Sequence, residues 1–154
     1  MEPEMIERGP FQIVGVMVRG KPEELNYPEI WANQYMKYDE QIKPYSPDKG
    51  YFGAWFSEDG APAYLAGMAV EGMPEVLEGL TLRTLPAAKY AVFTCTMSTI
   101  GATYPFAFQQ WLPASPYELD LSASDFEYYP PNNDSPDAPV QIFIPVKQKE
   151  PVGS

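Results

Sequence analysis

The chain has no histidine, and among its 154 residues there is one cysteine, Cys95. These two shortages exclude an intramolecular disulfide, a zinc site of the Cys/His kind, and every catalytic triad that needs an imidazole. Cys95 lies inside the apolar run AVFTCTM, where a small thiol reads as a buried core residue. Basic residues are also scarce, 10 against 21 acids, for a formal charge of −11. With no Lys/Arg cluster to offset it, such a surface repels phosphate backbones and anionic membranes, so neither nucleic acid nor membrane is expected as a partner. No apolar run approaches the ~18 residues of a membrane span. The acidic opening MEPEMIERG has no signal-peptide core, so the expected setting is a reducing, cytosolic one.

Hydrophobic residues make up 45% and aromatic residues 14%, the composition of a folded globule. At this length a single domain over 1–154 buries roughly 68–70% of its unfolded surface. Eighteen prolines and 11 glycines interrupt the chain often, which argues against long helices.

FQIVGVMVRG (11–20) is apolar and β-branched and reads as a buried strand. NYPEIWANQYMKYDEQIKPY (26–45) reads as a helix, with Asn26 as its cap, Pro28 in its first turn and Pro44 as its stop. YFGAWFSEDG and PAYLAGMAVEG form two strands of a hairpin turning at EDGA. A second round follows: 80–97 extended and broken at Pro86, a short helix over 102–112 stopped by Pro113, then extended segments at 116–130 and 138–148. A loop, PNNDSPD, separates the last two. The element types coincide in order when the chain is shifted by 77 residues, which sets Tyr27 on Tyr104 and Trp31 on Phe108. The fold expected is therefore α+β: a duplicated strand–helix–strand–strand unit, halves at about 5–75 and 80–150, antiparallel sheets with two helices and a cleft between the halves.

Aromatic residues concentrate on these helices. Tyr104, Phe108 and Trp111 stand at i, i+4 and i+7, on one helical face, and Tyr27, Trp31, Tyr35 and Tyr38 repeat the stripe. Core packing explains such a stripe as readily as a binding wall does, although buried Tyr and Trp need polar partners. In DFEYYPP (125–131) strand alternation sends Phe126 and Tyr128 one way, and Asp125, Glu127 and Tyr129 the other. Gln141 and Phe143 form a comparable pair on the last strand. Glu127 is then either a solvated acid beside Asp125 or the floor of an aromatic pocket.

The ordered set FQIVGVMVRG, LPAAKYAVFTCTM, TYPFAFQQWLPASPYEL, DFEYYPP and VQIFIPVK resembles the GyrI-like family over nearly the whole chain. These are effector-binding domains found alone and as the ligand-sensing halves of multidrug-responsive transcription activators. The resemblance implies a duplicated strand–helix–strand–strand fold. It also implies that Glu127 stands in an aromatic-walled pocket that meets bulky, often cationic aromatic ligands, with Tyr104, Tyr129 and Phe143 lining it. Gln141 occupies a position where some multidrug sensors carry a second acid.

Part of the family looks like hydrolases that open the cyclopropane of DNA-alkylating cyclopropanoid natural products. On that likeness Glu127 and Tyr104 are the candidate catalytic pair, and Tyr27, Trp31, Phe108, Trp111, Tyr129 and Phe143 the candidate substrate cage, with no metal and no cofactor. The leading expectation is a stand-alone detoxifying hydrolase of aromatic xenobiotics, cationic ones included. Two alternatives stay open: a drug-sequestering binding protein, and a protein inhibitor of a DNA gyrase type.

Overall fold

The computed structural model describes residues 2–131 and 137–149, so most of the loop at 131–137 lies outside the described residues. Among the described residues nine strands form one continuous antiparallel sheet, in the order β1-β6-β9-β8-β3-β4-β2-β5, with β7 added to β9. The strands are β1 (Glu4–Arg8), β2 (Phe11–Arg19), β3 (Tyr51–Glu58), β4 (Ala61–Val70), β5 (Thr81–Leu85), β6 (Ala88–Thr96), β7 (Tyr117–Leu119), β8 (Phe126–Tyr129) and β9 (Pro139–Gln148). The α+β architecture agrees with the expectation, but separate sheets do not form.

The reason is strand exchange between the halves. β1 pairs with β6 of the second half, and β5 pairs with β2 of the first. The registers correspond as well: Met5 faces Ala91, and Leu82 faces Val14. β1 carries no strand signal of its own, because EMIER is short and three of its five residues are charged, and Pro86 separates β5 from β6. The two halves meet again at the centre, where β3 pairs with β8 and Gly53 faces Glu127.

Local chemistry explains the turns and helix ends. The β3–β4 hairpin turns on Asp59 (φ 52°) and Gly60 (φ 82°), the two left-handed residues of a type I′ turn. The first helical stretch, 27–45, is capped by Asn26, whose side chain accepts from the Glu29 N–H at 3.2 Å. It is not a uniform α-helix. A π-helical turn spans Ile30–Gln34, and another spans Ala107–Trp111 in the second helical stretch, 100–114. The two π turns, like β1 with β5 and β2 with β6, recur at one common spacing.

Both helical stretches cover the same face of the sheet. The first packs Tyr35 and Ile42 on Val14, Val16 and Met68; the second packs Tyr104, Phe106 and Trp111 on Ala91, Phe93, Ile142 and Ile144. The other face carries a second core built wholly from strands, including Ile13, Phe52, Leu65, Tyr90, Phe126 and Phe143. Phe11 and Phe126 show how that core closes. Their strands are three positions apart, about 14 Å in a flat sheet. Their ring centroids are nevertheless 5.6 Å apart, so the sheet curls around this face. The curl demands close backbone approach where β2 crosses β4: a Cβ on Gly15 would meet the Ala66 carbonyl oxygen at 1.9 Å. No helix among the described residues is long and apolar enough to cross a membrane.

Candidate functional site

Between the two helical stretches, above the central β3–β8 pair, lies a cleft of about 630 Å³. Its floor is set by strand alternation. Phe126 and Tyr128 point into the strand-only core, leaving Glu127 and Tyr129 on the helix side. Glu127 is only 7% exposed. Its strand neighbour Gly53 has no side chain, which admits the hydroxyl of Tyr64; a Cβ there would stand 2.1 Å from that oxygen.

Aromatic rings form the wall on the first half's side. Tyr27 and Trp31 come from the first helical stretch, and Tyr51 and Tyr64 from the strands. Trp31 packs edge-on to Tyr35 (5.3 Å), Tyr51 (5.8 Å) and Tyr129 (6.2 Å), and its indole N–H donates to the Tyr64 hydroxyl at 3.3 Å. Tyr27 is tied outward, donating to the Pro22 carbonyl at 2.9 Å. Behind this wall Asp39 is buried and paired with Lys43 at 3.2 Å. The opposite wall is Ile100, Gly101 and Tyr104, with Met97 half exposed at the rim.

The electrostatics are one-sided. None of the residues lining the cleft is basic, so the carboxyl of Glu127 has no counter-charge there. Burial pushes its pKa up to about 7, the Tyr129 and Tyr104 hydroxyls draw it partly back, and Asp125 pushes it up further. Tyr129 donates to Oε2 at 2.5 Å. The Tyr104 hydroxyl lies near enough to favour the ionised form, yet makes no hydrogen bond of normal geometry, and it is buried without a partner among the described residues. Burial also raises Asp125, to about 6. The described residues contain no cluster of three metal-ligating side chains.

Five of the residues singled out from sequence meet in the cleft: Tyr27, Trp31, Tyr104, Glu127 and Tyr129. Three do not line it. Phe108 stacks behind Tyr104 at 6.4 Å, a backing rather than a wall. Trp111 turns toward Phe93 (5.5 Å) and Tyr117 (6.3 Å). The stripe at i, i+4, i+7 assumes 3.6 residues per turn, and the π turn at 107–111 rotates Trp111 off that face. Phe143 lies on the opposite face altogether, stacked on Phe126 at 4.5 Å, and Gln141, facing Tyr128, shares that face. Tyr51, Tyr64, Met97 and Ile100 were missed. β4 is apolar almost throughout, so its sequence carries no alternation from which the inward side of Tyr64 could be read.

The family model described as Cass2, integron-associated effector binding protein, matches residues 4–146. Transcriptional regulator BrlR of Pseudomonas aeruginosa is 29% identical over 152 residues, which are 95% of this chain and 56% of that regulator. The chain thus spans about half the length of this curated relative. Among solved structures, SAV2435 bound to tetraphenylphosphonium superposes with a TM-score of 0.75 at 18% identity, covering 96% of this chain and 94% of that one. The integron cassette protein VCH_CASS2 of Vibrio cholerae gives 0.59 at 21% identity, covering 96% and 97%. At these identities the structural likeness speaks for the fold.

Proposed function

Because the chain belongs to the GyrI-like integron-associated effector-binding family, we propose that it is a receptor for bulky aromatic organic cations, held in the cleft over Glu127. One observation carries this reading: a single buried carboxyl, without a basic neighbour, at the floor of a cleft walled by tyrosine and tryptophan. A buried anion lacking a counter-ion is costly, and an entering cation supplies it while the rings stack on the ligand's aromatic arms. SAV2435, of like fold, is known bound to one such cation, tetraphenylphosphonium.

The test is a titration with tetraphenylphosphonium followed by tryptophan fluorescence, with Trp31 in the wall as reporter. A dissociation constant at or below micromolar is expected, roughly −8 kcal/mol. Glu127→Gln should weaken it by about 1–3 kcal/mol, the scale for losing a charged partner. Binding no tighter than millimolar across a panel of aromatic cations would sink the reading.

A second reading, hydrolysis of cyclopropanoid alkylators, is favoured by the unpaired Tyr104 hydroxyl beside a carboxyl that titrates near neutrality. Glu127 would take a proton from water as its oxygen bonds to a cyclopropane carbon. The ring C–C bond would break toward a conjugated carbonyl, whose oxygen Tyr104 would protonate. Its signature is a product one water heavier than a spirocyclopropane substrate, formed roughly 10²–10⁴ times more slowly by Glu127→Gln. Unchanged substrate mass after prolonged incubation would leave the receptor reading alone.

A further inference from the structure

The polar floor of the cleft has more capacity than a cation uses. Oε2 of Glu127 accepts from Tyr129, and the Tyr104 hydroxyl stands close enough to the carboxyl to favour its ionised form. That hydroxyl is buried and makes no hydrogen bond of normal geometry among the described residues. An orphaned buried hydroxyl costs free energy until something meets it. A cation that stacks on the rings and pairs with the carboxylate has no use for a second donor.

The groups facing Glu127 are all of one kind. From its own strand comes Tyr129, from the residue just before that strand Asp125, from the first helical stretch Tyr27, from the second Tyr104, from β4 Tyr64 and from β6 Cys95. Each is either neutral or an acid, so none of the described residues facing Glu127 holds it ionised by charge. An uncharged ligand that displaces water from the cleft would strand a bare carboxylate. Taking up a proton is then the less costly state. A protonated carboxyl is a donor, and with Tyr104 it gives the floor two O–H donors. The ligand group that complements two convergent donors is one oxygen with two lone pairs, a ketone carbonyl.

We propose that the one carboxyl serves two ligand classes: organic cations with Glu127 ionised, and uncharged planar aromatic ketones with Glu127 protonated, Glu127 and Tyr104 then both donating to the ketone oxygen. This rests on the cleft being the ligand site, as proposed above. It adds an opposite proton linkage for the two classes: a proton leaves when a cation binds and enters when a ketone binds.

A matched pair of fluorescent probes tests it. N-methylacridinium and N-methylacridone share one tricyclic frame; the first is a cation, the second a neutral ketone. Each is titrated against the wild-type protein at pH 6 and pH 8, either side of the Glu127 midpoint at about 7. Where only one protonation state binds, the apparent affinity follows its population. Acridinium should bind about tenfold more weakly at pH 6 than at pH 8, and acridone about tenfold more weakly at pH 8 than at pH 6. Glu127→Gln should abolish both pH dependences. It should retain acridone, since an amide N–H still donates, and weaken acridinium at pH 8. Tyr104→Phe should raise the acridinium-to-acridone affinity ratio by roughly fivefold.

Acridone binding that ignores pH, or an affinity ratio unmoved by Tyr104→Phe, overturns the inference while acridinium binding keeps the receptor reading standing. If neither probe binds tighter than millimolar, both readings fall. The wild-type pH comparison needs no variant, so it decides the matter even where a substitution impairs folding.

Discussion

Replacing Glu127 by Gln should make the protein more stable at pH 8 and leave it unchanged near pH 4. Burial raises the Glu127 pKa from 4.5 to about 7. Between those values the folded state holds a proton that the unfolded chain has released, so stability falls as pH rises through this window and levels off above it. A rise of that size corresponds to about 3 kcal/mol of stability lost by pH 8. Gln has nearly the shape of a protonated Glu, and its amide oxygen can still accept from Tyr129, so the variant keeps the hydrogen bond and loses the penalty. The net gain at pH 8 is therefore about 3 kcal/mol, roughly 6–12 °C in Tm for a domain of this size. Below pH 4.5 both side chains are neutral and the gain vanishes. Asp125, raised to about 6, adds a slope of the same sign in its own window and keeps it in the variant, so the difference between the two proteins isolates Glu127. Urea unfolding of both proteins at pH 4, 6 and 8 measures it. A stability difference that does not grow with pH would mean that Glu127 is solvated when ionised, and the argument from burial would fail.

Two further outcomes test the geometry. Phe143→Ala should cost about 3–5 kcal/mol, as for other buried Phe, because Phe143 stacks on Phe126 in the strand-only core. It should leave the affinity of the folded fraction for tetraphenylphosphonium within about twofold; a tenfold loss would put Phe143 back in the pocket. Gly15→Ala drives a Cβ against the Ala66 carbonyl carried by the neighbouring strand and should destabilise by more than about 3 kcal/mol, whereas Gly9→Ala, with open space around it, should stay within about 0.5 kcal/mol by thermal melting.

Much of the site's vocabulary was legible in the sequence. DFEYYPP fixes alternation over four strand residues, so the parting of Glu127 and Tyr129 from Phe126 and Tyr128 needed no tertiary information. Tyr27 and Tyr104 stand at the same place in the two halves, each on the cleft-facing side of its helical stretch. Asp59–Gly60 specifies its turn by φ alone, and Asn26 its helix start by one side-chain oxygen. These are short-range effects, complete within a few residues of chain.

What the tertiary structure decided is whatever depends on residues far apart in sequence. PVQIFIPVKQ alternates Val140, Ile142, Ile144 and Val146 with Gln141 and Phe143, but which of the two sets meets the helices was decided only when β9 took its register against β6 and β8. The exchange of β1 and β5 between the halves is equally invisible in EMIER and TLRTL, because pairing is chosen by the whole sheet and not by the strand. The π turns moved Trp111 off a face that α-helical counting had assigned to it. The charge state of Glu127 belongs to this class too. Its pKa depends on burial under Trp31, Tyr64 and Tyr104, residues brought from elements distant in sequence, and on the absence of any basic residue from the cleft they form. A carboxyl's chemistry is a property of the space around it, and that space exists only after the two halves have closed on each other.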